Sequence, residues 1–201
     1  MHNWFNAVGR LAGIGEDRSG HLEKWVSALG GLVGVGAVLL ISQMELGLSA
    51  AAGLVGSMGA SAVLLFAVPH GPLSQPWAVF GGHVISAVVG VSCAQAIQDP
   101  TVAAAAAVAL AIGAMHYFRC IHPPGGATAL SAVVGGDAVH QLGFQFVLTP
   151  VLLNAVTILL VALVFNAPFA WRRYPAALAR SPTNGRGRVS NNGNPVEVRH
   201  E

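Results

Sequence analysis

The chain alternates between long apolar stretches and short connections that hold most of its polar residues. A helix needs about 20 apolar residues to cross the hydrocarbon core of a bilayer. Stretches near that length are found at 25–41, 46–68, 78–97, 102–118 and 144–165. A further apolar stretch at 125–134 is too short for a standard span. The pattern predicts an all-α, polytopic membrane helical bundle of about six elements, the fifth of them short.

The distribution of charge predicts how this bundle is oriented. Hydrophobic residues make up 54% of the chain and charged residues only 9%, whereas soluble domains carry about 25% charge. The ten lysines and arginines lie before the first stretch, at Arg119, or from Arg172 onward, and Glu45, Asp99 and Asp137 mark the other connections. By the positive-inside rule both termini are cytoplasmic, which requires an even number of crossings. We therefore expect a multi-pass protein of the bacterial inner (cell) membrane, surrounded by lipid and not bound to nucleic acid.

Three regions follow from the same pattern. Residues 1–24 form a cytoplasmic N-terminal segment, either an interfacial helix or a solvated lead-in. Residues 25–166 form the transmembrane domain. Residues 167–201 form a basic cytoplasmic tail, and its composition predicts disorder from about residue 181.

A polar interruption precedes the short fifth element, with the sequence His122-Pro123-Pro124-Gly125-Gly126-Ala127-Thr128. Its two prolines remove amide donors and its two glycines free the backbone, so a helix cannot run through it unbroken. Irregular backbone at membrane depth is tolerated where it is buried in protein or lines a polar cavity. The interruption is therefore either a tight turn at the membrane edge or the substrate-binding break of a transport protein.

An internal repeat relates the two halves of the chain. Gly59-Ala60-Ser61 recurs 67 residues later as Gly126-Ala127-Thr128, and the halves extend over about 25–98 and 101–166. Three crossings per half give the halves opposite orientations, as in many secondary transporters, whose sites lie at the repeat interface. Gly53, Gly56 and Gly59 then predict that the second element is interrupted like the fifth. The alternative is that these small residues only allow tight helix packing.

Two interrupted helices would direct their N-termini toward the centre of the protein. Free N–H groups and the helix dipole make such ends favourable for anions, and hydroxyl side chains would add donors. The predicted substrate-binding residues are Gly59, Ala60, Ser61, His122, Pro123, Pro124, Gly125, Gly126, Ala127 and Thr128.

Polar residues in and beside the spans suggest further roles. Arg119 could attract an anion or anchor the chain at the membrane surface. His83 and His116 could carry a coupled proton or serve as interhelical hydrogen-bonding partners. Asn154 is expected to face the site. Gly30 and Gly34, with Ala37, could form a homodimer interface or pack within the subunit.

Metal binding and catalysis are disfavoured. His116, Cys120 and His122 lie within seven residues, but no carboxylate or second thiol is close in sequence. No nucleophile elbow, zinc-protease motif or phosphate-binding loop is present in the sequence. We expect no cofactor, no metal and no enzymatic activity.

The interruption, continued through Ala129-Leu130, resembles the signature of the HPP family of integral membrane proteins. The blocks at 56–66 and 72–83 resemble two other characteristic stretches of that family, and the resemblance covers about residues 25–166. Members in plastids and cyanobacteria are associated with nitrite transport. The resemblance therefore implies a transporter of a small monovalent anion, most plausibly nitrite. The alternative is a non-transporting sensor or assembly module that binds a partner protein.

Overall fold

The computed structural model describes residues 11–12, 19–46 and 48–179, and of residues 45–53 it describes no side chain. Within these ranges the chain is helical and forms no strand. The helices are α1 (His21–Leu46), α2 (Leu48–Ala67), α3 (Pro76–Ala96), α4 (Pro100–Tyr117), α5 (Pro123–Val134), α6 (Asp137–Leu142) and α7 (Leu153–Asn166). A π-helical turn, Val147–Leu152, leads into α7, and short 3₁₀ turns lie at Pro72–Ser74 and Ala176–Leu178.

Among the residues that the structure describes, four helical segments are long and apolar enough to cross a membrane. They are His21–Met44, Pro76–Ala96, Pro100–Tyr117 and Val147–Asn166. Leu54–Ala67 and α5 are shorter apolar helices, α5 having only 12 residues. The predicted all-α, polytopic membrane bundle with a short fifth element is confirmed.

One end of the bundle gathers the start of α1, the end of α2 and the segment after α7. Arg172 donates to a carboxylate oxygen of Glu23 and to the carbonyl oxygen of Phe66. Trp77, at the start of α3, donates to the carbonyl of Phe118, just after α4, at 3.0 Å. We call this end the terminal side. The shared location of α1's start and α7's end agrees with an even number of crossings.

Proline and aspartate define where the helices begin. Pro76, Pro100 and Pro123 are the first residues of α3, α4 and α5, where proline costs no helical hydrogen bond. Asp99 caps α4 by accepting hydrogen bonds from the backbone N–H groups of Thr101 and Val102, both at 2.9 Å. These local signals explain the sharp turns between the spans.

Helix α5 lies at the centre, in contact with α2, α3 and α4, and its closest neighbour is α3. A Cβ atom added to Gly82 would lie 2.5 Å from His122 Cβ, and one added to Gly90 would lie 2.5 Å from the Ala129 carbonyl oxygen. A Cβ at Gly125 would lie 2.7 Å from the Gly82 oxygen. Small residues thus bring the two helices into backbone contact, as is typical of membrane interfaces.

The predicted interruption of the second element is wrong. Helix α2 runs from Leu48 to Ala67 through Gly53, Gly56 and Gly59 without a break. Glycine permits a break but costs only about 1 kcal/mol inside a helix, so it does not force one. The second irregular element is instead the π-helical turn before α7, where Pro150 follows Thr149 with non-helical angles of φ −129° and ψ 115°.

Gly30 and Gly34 of α1 pack within the subunit. A Cβ at Gly30 would lie 2.5 Å from the Phe66 ring and 2.8 Å from the Phe165 ring, and one at Gly34 would lie 2.5 Å from Phe66. The two phenylalanines form an edge-to-face pair with ring centroids 5.6 Å apart. Of the two alternatives for this face, the structure therefore supports packing inside the subunit.

Residues 167–179 fold back over the terminal side, and we call this segment the strap. Its Arg172 is buried and also donates to Asn166 Oδ1 at 3.1 Å. The Tyr174 hydroxyl donates to the Ser74 carbonyl at 2.8 Å, and burial raises the pKa of Tyr174 above its usual value. The disorder predicted from about residue 181, and most of the proposed interfacial segment 1–24, lie outside the described residues.

Candidate functional site

Five fully buried polar side chains meet inside the bundle, and we call them the His–Ser–Thr cluster. Its members are Ser57 and Ser61 on α2, His83 on α3, His122 at the N-cap of α5, and Thr128 on α5. Each of these positions is surrounded by apolar helix surface, so the polar atoms depend on one another for hydrogen bonds.

Ser61 occupies the middle of the cluster. Its Oγ lies 2.8 Å from Nε2 of His83 and 2.8 Å from Nε2 of His122. The two imidazole rings stand edge to face with centroids 4.9 Å apart. Ser61 Oγ also lies 3.1 Å from the Ser57 carbonyl oxygen, to which its hydroxyl can donate. One hydroxyl therefore bridges two histidines from different elements.

Both halves of the internal repeat contribute to His83. Ser61 bonds its Nε2, and Thr128, the residue that the repeat aligns with Ser61, lies 2.8 Å from its Nδ1 through Oγ1. Thr128 Oγ1 is in turn 3.1 Å from Ser57 Oγ. The histidine thus sits between α2 and α5, which run in opposite directions, at the interface of the two halves.

The ring of His122 is fixed by the backbone of the turn before α3. Its Nδ1 donates to the Leu73 carbonyl oxygen at 2.8 Å. Because a carbonyl oxygen can only accept, Nδ1 carries a hydrogen in either charge state of the ring.

The cluster lies within the membrane and closer to the terminal side. Ser61 is six residues before the end of α2, His83 is seven after the start of α3, and Thr128 is five after the start of α5. At 1.5 Å per residue these offsets correspond to about 8–11 Å along the helices. The hydrocarbon core is about 30 Å thick, so the cluster lies about one third of the way across.

Ser86, one helical turn beyond His83, is the unsatisfied hydroxyl next to the cluster. It is buried and its Oγ has no hydrogen-bond partner among the described residues. A Cβ at Gly125 would lie 2.8 Å from that oxygen. A buried hydroxyl without a hydrogen bond costs about 1–3 kcal/mol, so Ser86 places a polar atom beside the cluster at an energetic cost.

The predicted substrate-binding residues separate into two groups. Ser61, His122 and Thr128 belong to the cluster, and Pro124 and Gly125 are buried beside it. The others lie on the outer, exposed or half-exposed faces of their helices: Gly59, Ala60, Pro123, Gly126 and Ala127. A Cβ at Gly126 would meet only Val108, at 3.9 Å. Side chains, rather than the free backbone N–H groups expected from the sequence, therefore form the polar centre.

The other polar candidates lie away from the cluster. Arg119 and His116 are exposed at the terminal side, and Arg119 adopts a left-handed backbone conformation with φ 56°. Asn154 is buried but donates to Ser42 Oγ on α1 at 2.7 Å, instead of bonding a cluster member. Of the four side chains predicted to accompany the motif, His83, His116, Arg119 and Asn154, only His83 belongs to the His–Ser–Thr cluster.

Three groups in or beside the cluster were not predicted from the sequence. They are the Ser57 hydroxyl, the Leu73 carbonyl and the nearby Ser86 hydroxyl. Ser57 precedes Ser61 by one helical turn and Ser86 follows His83 by one turn, so helical spacing could have indicated both. The Leu73 carbonyl belongs to a turn, and no side-chain pattern reveals it.

The cluster is a hydrogen-bond network and not a set of metal ligands. Among the described residues, no three His, Cys, Asp or Glu side chains lie together in a way that could hold a metal ion. Cys120 packs against Gly81, where burial raises the pKa of its thiol, whereas His116 is exposed.

A separate cavity opens on the other side of the bundle, along the same α3–α5 contact. It has a volume of about 160 Å³ and is lined by Val91, Ala94, Gln95, Ala132, Val139, His140 and Gly143. Between this cavity and the cluster, Gly90 lies against the Ala129 backbone and the Ala132 side chain. The α3–α5 contact therefore separates the cavity from the polar centre.

The helices, their apolar surfaces and this buried centre define a polytopic membrane protein. The family profile described as HPP, transmembrane region, matches residues 16–175. The chain belongs to the HPP family, as its motifs indicated, and it is an integral, multi-pass membrane protein.

Relatives extend this comparison without adding a function. Two transmembrane proteins of Dictyostelium discoideum are each 44% identical to this chain over 126 residues, which is 61% of the chain. The matched region covers 40% of one relative and 44% of the other, so the chain spans less than half of each. No solved structure matches the chain. Family membership is consistent with membrane transport in general.

Proposed function

We propose that this protein transports a small monovalent anion across the membrane, with nitrite as its substrate. The observation that carries the proposal is the His–Ser–Thr cluster, in which side chains of both repeat halves meet within the membrane. Buried polar groups are expensive there and usually mark a substrate or ion pathway.

The chemistry of the cluster suits an anion better than a cation. Its side chains are hydroxyls and imidazoles, and no carboxylate belongs to it. Hydroxyl O–H and imidazole N–H groups can donate to an oxyanion. The Ser86 hydroxyl beside Gly125 offers one more donor, for which the described part of the chain provides no hydrogen-bond acceptor.

Transport requires the packed arrangement to open. The Ser61 hydroxyl fills the point on which the two imidazoles converge, so an anion would displace it. The contact of Gly90 with Ala129 and Ala132 would also have to separate to connect the cluster with the 160 Å³ cavity. Both changes fit an alternating-access cycle in which one repeat half moves against the other.

The remaining parts of the proposal follow from the sequence. Nitrite is favoured by the family resemblance, and the protein acts without a cofactor, a metal or an enzymatic step. The terminal side faces the cytoplasm of a bacterial cell, because the basic residues are concentrated there. Exposed Arg119 would raise the local concentration of anions at that face.

A second candidate is a non-transporting sensor or assembly module. The dense contacts of Gly82 with His122 and of Gly90 with Ala129 favour it, because they close the polar centre on both sides. In this case the cluster would fix the relative positions of α2, α3 and α5, and a partner protein would bind elsewhere.

Anion flux into proteoliposomes distinguishes the two candidates. The purified chain would be reconstituted and nitrite uptake compared with uptake of nitrate, formate, chloride and bicarbonate. We expect saturable uptake of nitrite above that of protein-free liposomes. If no anion moves although the protein is folded and inserted, the transport proposal fails and the sensor or assembly module is the better description.

A further inference from the structure

We propose that each anion binds together with one proton, which is held on Nε2 of His122, so that transport is an electroneutral one-to-one symport. This inference rests on the proposed function and specifies its coupling ion and stoichiometry. It depends on which atom donates and which accepts in each hydrogen bond of the cluster, as the geometry of the cluster requires.

The Leu73 carbonyl determines the donor and acceptor roles of the two ring nitrogens of His122. Since Nδ1 of His122 carries a hydrogen, Nε2 of the neutral ring has a lone pair and must accept from Ser61. Ser61 has one hydroxyl hydrogen, so its oxygen must accept from Nε2–H of His83. Nδ1 of His83 is then an acceptor for the single Thr128 hydroxyl hydrogen, so the 3.1 Å contact between Thr128 Oγ1 and Ser57 Oγ must use the Ser57 hydrogen.

The neutral network therefore does not offer a complete anion site. At the point where both imidazoles converge, His83 presents an N–H group but His122 presents a lone pair. An anion that replaced the Ser61 oxygen would face this lone pair at hydrogen-bond distance. Electrostatic repulsion would exclude it as long as both rings are neutral.

One added proton converts the same geometry into a site. With His122 protonated at Nε2, two N–H groups point at one position, each 2.8 Å from the present Ser61 oxygen. The Ser61 hydrogen can turn to the Ser57 carbonyl, which already lies 3.1 Å away. The oxygen of Ser61 thus marks where an anion oxygen would be held, and the single positive charge balances the anion.

The groups around His122 limit the site to one proton. Helix α3 contributes the titratable His83, whose ring centroid is 4.9 Å away, whereas α2 contributes only serine hydroxyls. The loop before α5 contributes the buried thiol of Cys120. The strap contributes Tyr174, whose hydroxyl donates to the Ser74 carbonyl in the turn before α3. A second proton would place two like charges side by side, and among these groups no carboxylate offsets them.

The test measures charge and protons during nitrite uptake. Proteoliposomes would carry an internal pH dye, and a potassium gradient with valinomycin would set the membrane potential. We expect a pH gradient, acidic outside, to drive uptake, an imposed potential to leave the rate unchanged, and one proton to enter per nitrite. Above neutral pH, the apparent affinity should fall about tenfold per pH unit, because only the protonated site binds.

Two variants separate the roles of the histidines. In His122→Gln the side-chain amide is a permanent donor that needs no proton, so uptake should lose its pH dependence and become sensitive to membrane potential. In His83→Gln the side-chain amide replaces Nε2 of His83, which donates a hydrogen bond even when the imidazole ring is neutral. Uptake should slow, but coupling should remain one to one.

The outcomes of these experiments are distinct. Nitrite uptake that generates a potential in the wild type, or that moves without protons, overturns this inference and leaves the transport proposal standing. Absence of uptake of nitrite and of the four other anions overturns the proposed function itself. If His122→Gln does not fold, the proton-to-nitrite ratio of the wild type decides alone.

Discussion

Gly125 and Gly126 are adjacent glycines whose replacement by alanine should have opposite effects. A Cβ at Gly125 would lie 2.7 Å from the Gly82 oxygen, 2.8 Å from Ser86 Oγ and 3.1 Å from the Gly82 carbonyl carbon. Two of these three atoms are backbone, so α3 and α5 must move apart by several tenths of an ångström. A Cβ at Gly126 would meet only Val108, at the ordinary distance of 3.9 Å.

The expected magnitudes follow from two opposing contributions. Overpacking of a tight interior costs about 1–3 kcal/mol, whereas replacing glycine by alanine in a helix gains about 0.5–1 kcal/mol. Gly125→Ala should therefore destabilise the protein by about 1–2 kcal/mol, and Gly126→Ala should stabilise it slightly. For a chain of this size 1 kcal/mol corresponds to about 2–4 °C in Tm.

Thermal unfolding of the two purified variants in the same detergent measures this difference. Gly126→Ala is the matched control, because it makes the same chemical change one residue away. We expect Gly125→Ala to unfold at the lower temperature, below the wild type. Equal Tm values for the two variants would refute the assigned close contact between α3 and α5.

Three further variants test other parts of the structure. Ser86→Ala should leave the free energy of unfolding unchanged or raise it by up to about 1 kcal/mol, seen as an equal or higher Tm. The same variant should have a higher KM for nitrite, and unchanged uptake would show that this hydroxyl does not belong to the site. Arg119→Gly should stabilise the chain by about 1 kcal/mol because it relieves the left-handed backbone; a lower Tm would contradict this reasoning. Arg172→Ala should cost about 1–3 kcal/mol, since it removes the donor to the Phe66 carbonyl and leaves Glu23 with only the hydrogen bond from Trp171 among those that Arg172 and Trp171 make to it. The yield and Tm of Arg172→Ala would be compared with those of Arg173→Ala. If the two variants lose equally little, the strap contributes little to the stability of the protein.

The break before α5 could be predicted because proline acts locally. Pro123 and Pro124 lack amide hydrogens in any environment, so the helix had to begin there. The continuity of α2 could not be predicted in the same way. Its glycines allow either a break or a helix, and the tertiary packing of α2 against α1 and α5 selects the helix.

The sequence also could not predict which motif residues lie on the buried face of their helix and which lie on the outer face. In a soluble helix polar residues mark the outer face, but in a membrane both the lipid-facing and the buried faces are apolar. Gly125 and Gly126 therefore look alike in the sequence, although only Gly125 is buried against α3. The hydroxyl residues Ser61 and Thr128, which the sequence repeat paired, both lie in the polar centre, and their role in substrate binding stays a prediction.

His83 shows why the site needed the structure. From its position in the sequence, His83 could be assigned only a general role in proton coupling or in hydrogen bonding between helices, because nothing along the chain relates it to His122. The close contact of Gly82 with His122 brings the two imidazoles to one serine. Convergence of three elements on Ser61 is a property of the packed bundle and not of any single motif.

The central claim, that the His–Ser–Thr cluster binds the transported anion, is tested most directly by a pair of isosteric variants. Thr128→Val removes the hydroxyl that bonds His83, and Thr157→Val removes one that donates to the Leu153 carbonyl in its own helix at 2.8 Å. Nitrite uptake into proteoliposomes would be measured for both at equal amounts of inserted protein. The account predicts that Thr128→Val loses about tenfold or more in uptake, while Thr157→Val retains the wild-type rate. Wild-type uptake by Thr128→Val would contradict it.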